Sequence, residues 1–292
     1  MPTTKQTGRL PNFIIIGAPK AGTTSLHFYL SLHPEIFMPK VKELNFFTAH
    51  PMSSWTKGIE WYSSLFRSEK SVCGEASAGY AWKEVNPCSA ERMHRVVPSC
   101  KLIYCMRQPY ERLVSHFEMD CRRGVFSGNF EEFLSHSKFG LARYASYYGR
   151  QYEEFLRYFD RSQIHFVETS QMDRARTATL QGVFKFLGVD ASFESIMFRH
   201  KRYVGRRQPF PTKQGRAIMQ SGVLRFLESA MSPQVFYHFR NLLLLPFSEP
   251  TPSLALPGEL TKEITADFAR EVQSVRKLAG LDLASLGFHG GP

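Results

Sequence analysis

One stretch constrains this chain more than any other. A strand-like segment, Asn12 to Ile16 with an apolar run from Phe13, passes directly into a loop from Gly17 to Gly22 and then into a helix-period stretch from Thr23 to Leu32, closed by His33 and Pro34. A buried strand that feeds a helix through a glycine-bounded loop is the opening unit of a parallel sheet with helical crossovers. The same grammar recurs downstream. Lys101 to Met106 reads as a second buried strand, and after Arg107-Gln108-Pro109 a helix runs from Tyr110 to Arg122 with Leu113, Val114 and Phe117 at helical spacing. Ile164 to Glu168 reads as a third strand, followed by a helix from Thr177 to Leu187 that stops at Gly188. The fold class expected is α/β, a central parallel sheet flanked by helices. The 292 residues, 43% of them hydrophobic, suffice for a large core, and no linker or repeat divides them, so residues 1–292 are expected to form one domain.

Glycines in a strand-to-helix turn let the backbone approach an anion, and the N–H groups of the first helical turn then face its oxygens. Gly17-Ala-Pro-Lys-Ala-Gly22-Thr23-Thr24 supplies this arrangement, but it is not the ATPase pattern GxxxxGK[ST]: the lysine is Lys20, inside the loop, and Thr23 stands where the motif lysine would be. The neighbouring strand KLIYCM ends in Arg107 and not in a metal-binding carboxylate, and a cation there attracts a further phosphate instead of Mg²⁺. The site reads as one that binds anions with protein charge and no metal. An irregular P-loop nucleotide kinase or NTPase is the alternative enzyme reading. A basic nucleic-acid-binding protein is the non-enzyme alternative, resting on a net charge of +11 and on the lysine- and arginine-rich stretch 199–216, which reads as a long loop. No nucleic-acid module appears in the sequence.

Five cysteines in no metal-binding spacing, no secretory leader and no apolar run near the ~20 residues of a membrane span together predict a soluble, cytoplasmic protein. The final helix is expected over Thr261 to Leu278, with Ile264, Phe268, Val272 and Val275 on one face.

These motifs, in this order, resemble the sulfotransferases that use 3′-phosphoadenosine 5′-phosphosulfate (PAPS), particularly the heparan-sulfate-type and related bacterial members. The resemblance rests on NFIIIGAPKAGTTSLHFYLSLHPEI, KELNFF, KGIEWYSSLF, KLIYCMRQPYERLVSHF, SYYGRQYEEFLRYF, IHFVETSQM and the closing TKQGR. It implies a P-loop-like sulfotransferase fold and transfer of a sulfuryl group from PAPS to an acceptor hydroxyl, with release of adenosine 3′,5′-diphosphate. It implies further that Lys20, Ala21, Gly22, Thr23 and Thr24 bind the 5′-phosphosulfate and that Arg107 and Ser115 hold the 3′-phosphate. Lys213, Gly215 and Arg216 would close over the nucleotide, although Gln214 interrupts the family's KGR segment.

Glu43, in KELNFF, matches the position of the family's acidic base, while its alternative is a surface carboxylate paired with Lys40 or Lys42. Lys20 would neutralise charge on the leaving diphosphate. Glu43, Ser77 and Tyr148 are the residues expected to face the acceptor: a carbohydrate, a glycolipid hydroxyl or a small metabolite. Two departures bear on that acceptor. Asn45 stands where such enzymes often carry histidine, and Ala76 stands where the heparan type has a lysine after Glu75. Glu75 itself is either a second carboxylate of the site or a strand-end anchor. His27 and His116 read as structural or solvated, and Arg112 and Arg122 as a solvated helix face. Trp55, Trp61, Tyr62, Tyr80 and Trp82 can stack on sugar rings or fill the core.

Overall fold

The structure is a computed structural model that describes residues 8–49, 53–199, 210–231 and 233–281. In chain order the regular elements begin with β1 (Phe13–Gly17), α1 (Thr23–Ser31), β2 (Ile36–Phe37), α2 (Gly58–Ser64), β3 (Val72–Ala76), α3 (Ser89–Val96), β4 (Lys101–Met106) and α4 (Pro109–Arg122). They continue with α5 (Phe130–Ser135), α6 (Tyr148–Leu156), β5 (Ile164–Glu168), α7 (Thr169–Arg174) and α8 (Arg176–Leu187). The last are β6 (Phe210–Pro211), α9 (Lys213–Gln220), α10 (Gly222–Ala230), α11 (Pro233–Leu244), β7 (Ser248–Glu249) and α12 (Gly258–Ala279). The chain groups into two compact units, one drawn from Met1–Leu113, Leu141–Arg202 and Lys262–Pro292, the other from Val114–Gly140 and Tyr203–Thr261.

The first unit is built on a five-stranded sheet in the order β2-β3-β1-β4-β5, every pairing parallel. Its central strands are short and apolar because helices cover both faces of a parallel sheet: all five residues of β1 are buried, as are five of the six in β4. The register aligns the carboxyl ends, with Ile15 opposite Ala76, Gly17 opposite Tyr104 and Met106 opposite Glu168. From β1 the chain goes to β2 and β3 on one side, and from β4 to β5 on the other. The strand order therefore reverses between β1 and β4, and ligands of open α/β sheets bind in the crevice outside such a reversal. The stripe Ile264, Phe268, Val272 and Val275 of α12 is buried, as its spacing predicts.

The second unit is held by a phenylalanine cluster in which Phe117 packs on Phe130 at 5.1 Å and on Phe133 at 5.3 Å, and Phe126 packs on Phe139 at 5.0 Å. Here the sequence reading needs correction. The stretch 199–216 is not loop throughout: Phe210–Pro211 pairs antiparallel with Ser248–Glu249, and a helix starts at Lys213. Its physical cause is an N-cap, since the Thr212 hydroxyl accepts the Gly215 N–H at 3.2 Å. The basic residues Lys201, Arg202, Arg206 and Arg207 lie outside the described residues. No helix among the described residues is long and apolar enough to cross a membrane.

Candidate active site

The loop between β1 and α1 is fixed from several sides. Ala18 donates its N–H to the Cys105 carbonyl of β4 at 2.8 Å, and Ala21 turns back to donate to Ala18 at 3.1 Å. Lys20 and Gly22 both take left-handed backbone conformations, with φ of 69° and 82°. Glycine enters that region without steric penalty, whereas a non-glycine residue such as Lys20 costs on the order of 1 kcal/mol there and needs its surroundings to hold it. Gly22 caps α1, so the amides of the first turn, among them those of Thr23 and Thr24, have no acceptor within the helix and are available to an anion. Ala21 and Thr23 are buried, while Thr24 is exposed.

Two side chains that the sequence did not point to hold this loop. Arg112 is wholly buried and donates to the Pro19 carbonyl at 3.2 Å, to the Ala142 carbonyl at 2.5 Å and to the Ser146 hydroxyl at 2.5 Å. The expectation of a solvated helix face is thereby corrected: the fork of donors on a guanidinium can satisfy backbone carbonyls, and apolar periodicity carries no sign of that. Burial lowers its pKa to about 10, so it keeps its charge at neutral pH. Thr169, the first residue after β5, places its hydroxyl 3.0 Å from the carbonyls of both Ala21 and Met106. Arg122 is corrected likewise: it is largely buried, paired with Glu118 at 3.1 Å and set over the Phe210 ring at 4.4 Å.

Arg107 sits at the carboxyl end of β4, half-buried, with its guanidinium 3.1 Å from Glu111. Tyr148, fully buried at the start of α6, brackets its backbone: the tyrosine hydroxyl accepts from the Arg107 N–H at 3.1 Å and donates to the Arg107 carbonyl at 2.7 Å. Ser115 is half-buried in the second turn of α4 and belongs to the second unit. Lys213, Gly215 and Arg216 also belong there. Lys213 is exposed, and Arg216 donates to the Pro211 carbonyl at 2.8 Å and lies 3.5 Å from Glu249. Gly215 is required by close approach, because a Cβ there would stand 2.8 Å from the Phe247 carbonyl oxygen.

Glu43 lies beside the end of β3. Its backbone N–H donates to the Ala76 carbonyl at 2.9 Å, and its carboxylate accepts the Ala78 N–H at 2.9 Å while also pairing with Lys42. Ala78 in turn borders Gly17 at the root of the loop, where a Cβ on the glycine would lie 3.1 Å from the Ala78 carbonyl oxygen. The carboxylate is partly exposed, with 41% of its side chain accessible, so an incoming group can reach it. Glu43 and Asn45 both have left-handed backbones, at φ 60° and 51°.

Of the two roles open to Glu75, the structure gives the anchor. It is buried near the carboxyl end of β3 and accepts three hydroxyls at 2.8 Å each, from Tyr62, Ser77 and Tyr80. Burial pushes its pKa up to about 7, even though those three donors pull it down. Of the aromatic residues, Tyr62 and Tyr80 are core, with Tyr62 stacked on Phe46 at 4.2 Å between centroids, while Trp55, Trp61 and Trp82 are half-buried. His27 is set against the Pro39 carbonyl at 3.1 Å, its pKa lowered by burial, and His116 is buried within the second unit, 3.8 Å from Asp120.

With this geometry in view, comparison with known proteins decides the family. The sulfotransferase domain model matches residues 10–204. The chain belongs to the sulfotransferase family. Over 206 residues it is 28% identical to human bifunctional heparan sulfate N-deacetylase/N-sulfotransferase 2, covering 63% of this chain and 23% of that protein. Over 194 residues it is 30% identical to mouse heparan sulfate glucosamine 3-O-sulfotransferase 5, covering 62% of this chain and 54% of the relative. The chain thus spans about a quarter of the first relative and about half of the second. A sulfotransferase from Alicyclobacillus acidocaldarius superposes with a TM-score of 0.67 at 24% identity, over 95% of this chain and 99% of that one, and shares the fold.

Proposed function

We propose that the chain acts as a single PAPS-dependent sulfotransferase domain that moves a sulfuryl group to an acceptor hydroxyl. The observation that carries the reading is the grouping of chemistry at the carboxyl ends of three adjacent strands: Lys20 and the open helix N-terminus after β1, the accessible Glu43 carboxylate beside β3, and Arg107 at the end of β4. The loop amides and Lys20 fit the 5′-phosphosulfate, because fixed donors and a compact cation stabilise an anion without reorganising. By the family resemblance, Arg107 and Ser115 would take the 3′-phosphate, and Lys213, Gly215 and Arg216 would bind the nucleotide. Tyr148 and Ser77, expected to face the acceptor, are fully buried, and in this reading they act by fixing Arg107 and the segment after Glu43.

In the reaction, Glu43 takes the proton of the acceptor hydroxyl as its oxygen bonds to sulfur. The bond from sulfur to the bridging oxygen breaks with its electrons on the departing adenosine 3′,5′-diphosphate, and Lys20 meets that charge. Positioning and electrostatics supply this catalysis, so the scheme uses no metal. A carbohydrate is the acceptor class favoured by the relatives, both named for heparan sulfate, and a hydroxyl by the one named a 3-O-sulfotransferase, while Ala76 in place of the heparan-type lysine points away from that polymer itself. The five cysteines, all free thiols, agree with a cytoplasmic site of action. Transfer of label from [³⁵S]PAPS to a panel of oligosaccharides, glycolipids and phenols tests the proposal. It expects transfer to at least one hydroxyl-bearing class that is lost in Lys20→Ala. Transfer that survives Lys20→Ala would overturn the assignment of the loop.

A further inference from the structure

The strained segment that carries Glu43 needs something to hold it, and the buried network beneath it shows what does. Asn45 donates its N–H to the Ser77 hydroxyl at 3.1 Å, and Phe46 and Phe47 donate theirs to the Tyr80 hydroxyl at 2.9 and 3.4 Å. Each of these hydroxyls has a single proton, and each places it on Glu75. An ionised carboxylate can only accept, so it fixes the direction of both hydroxyls and leaves their lone pairs to the three amides.

We propose that Glu75 is a positioning residue for the reaction proposed above: it sets the polarity of the Ser77 and Tyr80 hydroxyls, which pin the Asn45–Phe47 backbone and so fix where the Glu43 carboxylate stands. The inference rests on Glu43 as base for its catalytic meaning, but the network itself does not depend on that assignment. Glutamine at position 75 is nearly isosteric yet brings two N–H donors. One of them must meet the Ser77 or the Tyr80 hydroxyl, which then turns its own proton away from residue 75; Tyr80 already accepts two amides and loses one, and at Ser77 the redirected proton competes for the space beside the Asn45 amide. Protonation of Glu75 adds an O–H that must find its acceptor among Tyr62, Ser77 and Tyr80, and donated to Ser77 or Tyr80 it has the same effect.

The surroundings make that protonation accessible near neutrality. Tyr62 of α2 and Tyr80 after β3 are both raised well above the ordinary tyrosine range by burial, as is the Cys100 thiol before β4, so all three stay neutral. The β1 partner of Glu75 is the apolar Ile14, and the nearby Glu43 charge disfavours a second negative charge. Glu75, held near 7, is therefore the group of this cluster that changes charge around neutral pH.

Residue-resolved amide exchange, corrected for intrinsic rates, at about pH 6 and about pH 8 tests this in the native chain and in Glu75→Gln. In the native chain the amides of Asn45, Phe46 and Phe47 should gain about fivefold or more in protection relative to the β1 and β4 amides at the higher pH, the worth of a typical hydrogen bond. In Glu75→Gln this ratio should stay at the lower level at both values. Native protection and a native pH step in Glu75→Gln would overturn the proposal. Tyr80→Phe keeps the carboxylate and removes one acceptor. Phe46 and Phe47 should then lose protection while Asn45 keeps its pH step, and unchanged protection at Phe46 would overturn the proposal even if Glu75→Gln does not fold. Where transfer is followed, Glu75→Gln should lower kcat and leave the KM for the donor in place. The exchange readout uses neither donor nor acceptor, so its failure is separate from failure of the loop assignment, which adenosine 3′,5′-diphosphate binding reads in the same samples.

Discussion

Glu43 is anchored by the Ala78 amide and by Lys42, with the remainder of its carboxylate open to solvent. Both the expected surface pair and the expected place beside the loop are therefore present, and mutation separates them. If Glu43 is the base, Glu43→Gln should reduce turnover by about 10²–10⁴-fold, the usual worth of general-base catalysis, with donor affinity nearly unchanged. A surface ion pair removed from a helix-free loop would leave turnover as it was. Arg107→Ala should weaken adenosine 3′,5′-diphosphate by about tenfold or more and leave adenosine 5′-phosphate nearly unaffected, as calorimetry would show; a charge-assisted phosphate contact contributes roughly 1.5–3 kcal/mol. Equal losses for the two ligands would move Arg107 away from the 3′-phosphate. At this scale the placement of Lys20, Arg107 and Glu43 near the carboxyl ends of the strands was legible because each stands in a short motif at a strand end or close after the first helix. Arg112 was not, since what buries it is three oxygens from residues 19, 142 and 146, which no local spacing brings together.

At the scale of elements, the loop after β1 is a shared product of β4, the start of α7 and α4. Cys105 takes its first amide, Thr169 bridges it to the end of β4, and Arg112 fixes the carbonyl just before Lys20. Arg112→Met keeps the length and removes the donors, and it should weaken binding of adenosine 3′,5′-diphosphate through disorder of the loop. Arg112→Lys, with one compact ammonium in place of the fork, should restore only part of it. Equal affinity in Arg112→Met and the native chain would show that the loop holds its own shape. The start of α9 is likewise set by its cap: Thr212→Ala should destabilise that helix by about 1 kcal/mol, seen as faster amide exchange over Lys213–Gln220. The strands β4 and β5 were readable to the residue, because fully buried parallel strands leave uninterrupted apolar runs. The helix α9 was hidden, because Gly215 and the nearby prolines, which read as loop, are in fact a close contact and the end of a short strand.

For the molecule as a whole, the parallel sheet follows from the alternation of strand and helix, while its order, the reversal between β1 and β4 and the division into two compact units left no signal in the sequence. Stability should carry the mark of Glu75. Its pKa is raised on folding from the ordinary 4.5 to about 7, so the folded chain binds the proton more tightly than the unfolded one. The stability it confers is full below the unfolded value and is lost as pH rises toward 7, at most on the order of 3 kcal/mol. Denaturant unfolding should show this slope in the native chain and a flatter profile in Glu75→Gln. An unchanged slope would place its source elsewhere.

The central claim is that the loop after β1 binds the adenosine phosphosulfate donor with protein charge. Thermal unfolding with adenosine 3′,5′-diphosphate or ATP, each with Mg²⁺ or EDTA, tests it most directly, since a ligand at about 100 times its Kd adds about 2.7 kcal/mol of stability. Stabilisation by the diphosphate that is the same in Mg²⁺ and EDTA is the result expected. Stabilisation by ATP alone, abolished by EDTA, would contradict the account and put a nucleotide kinase in its place.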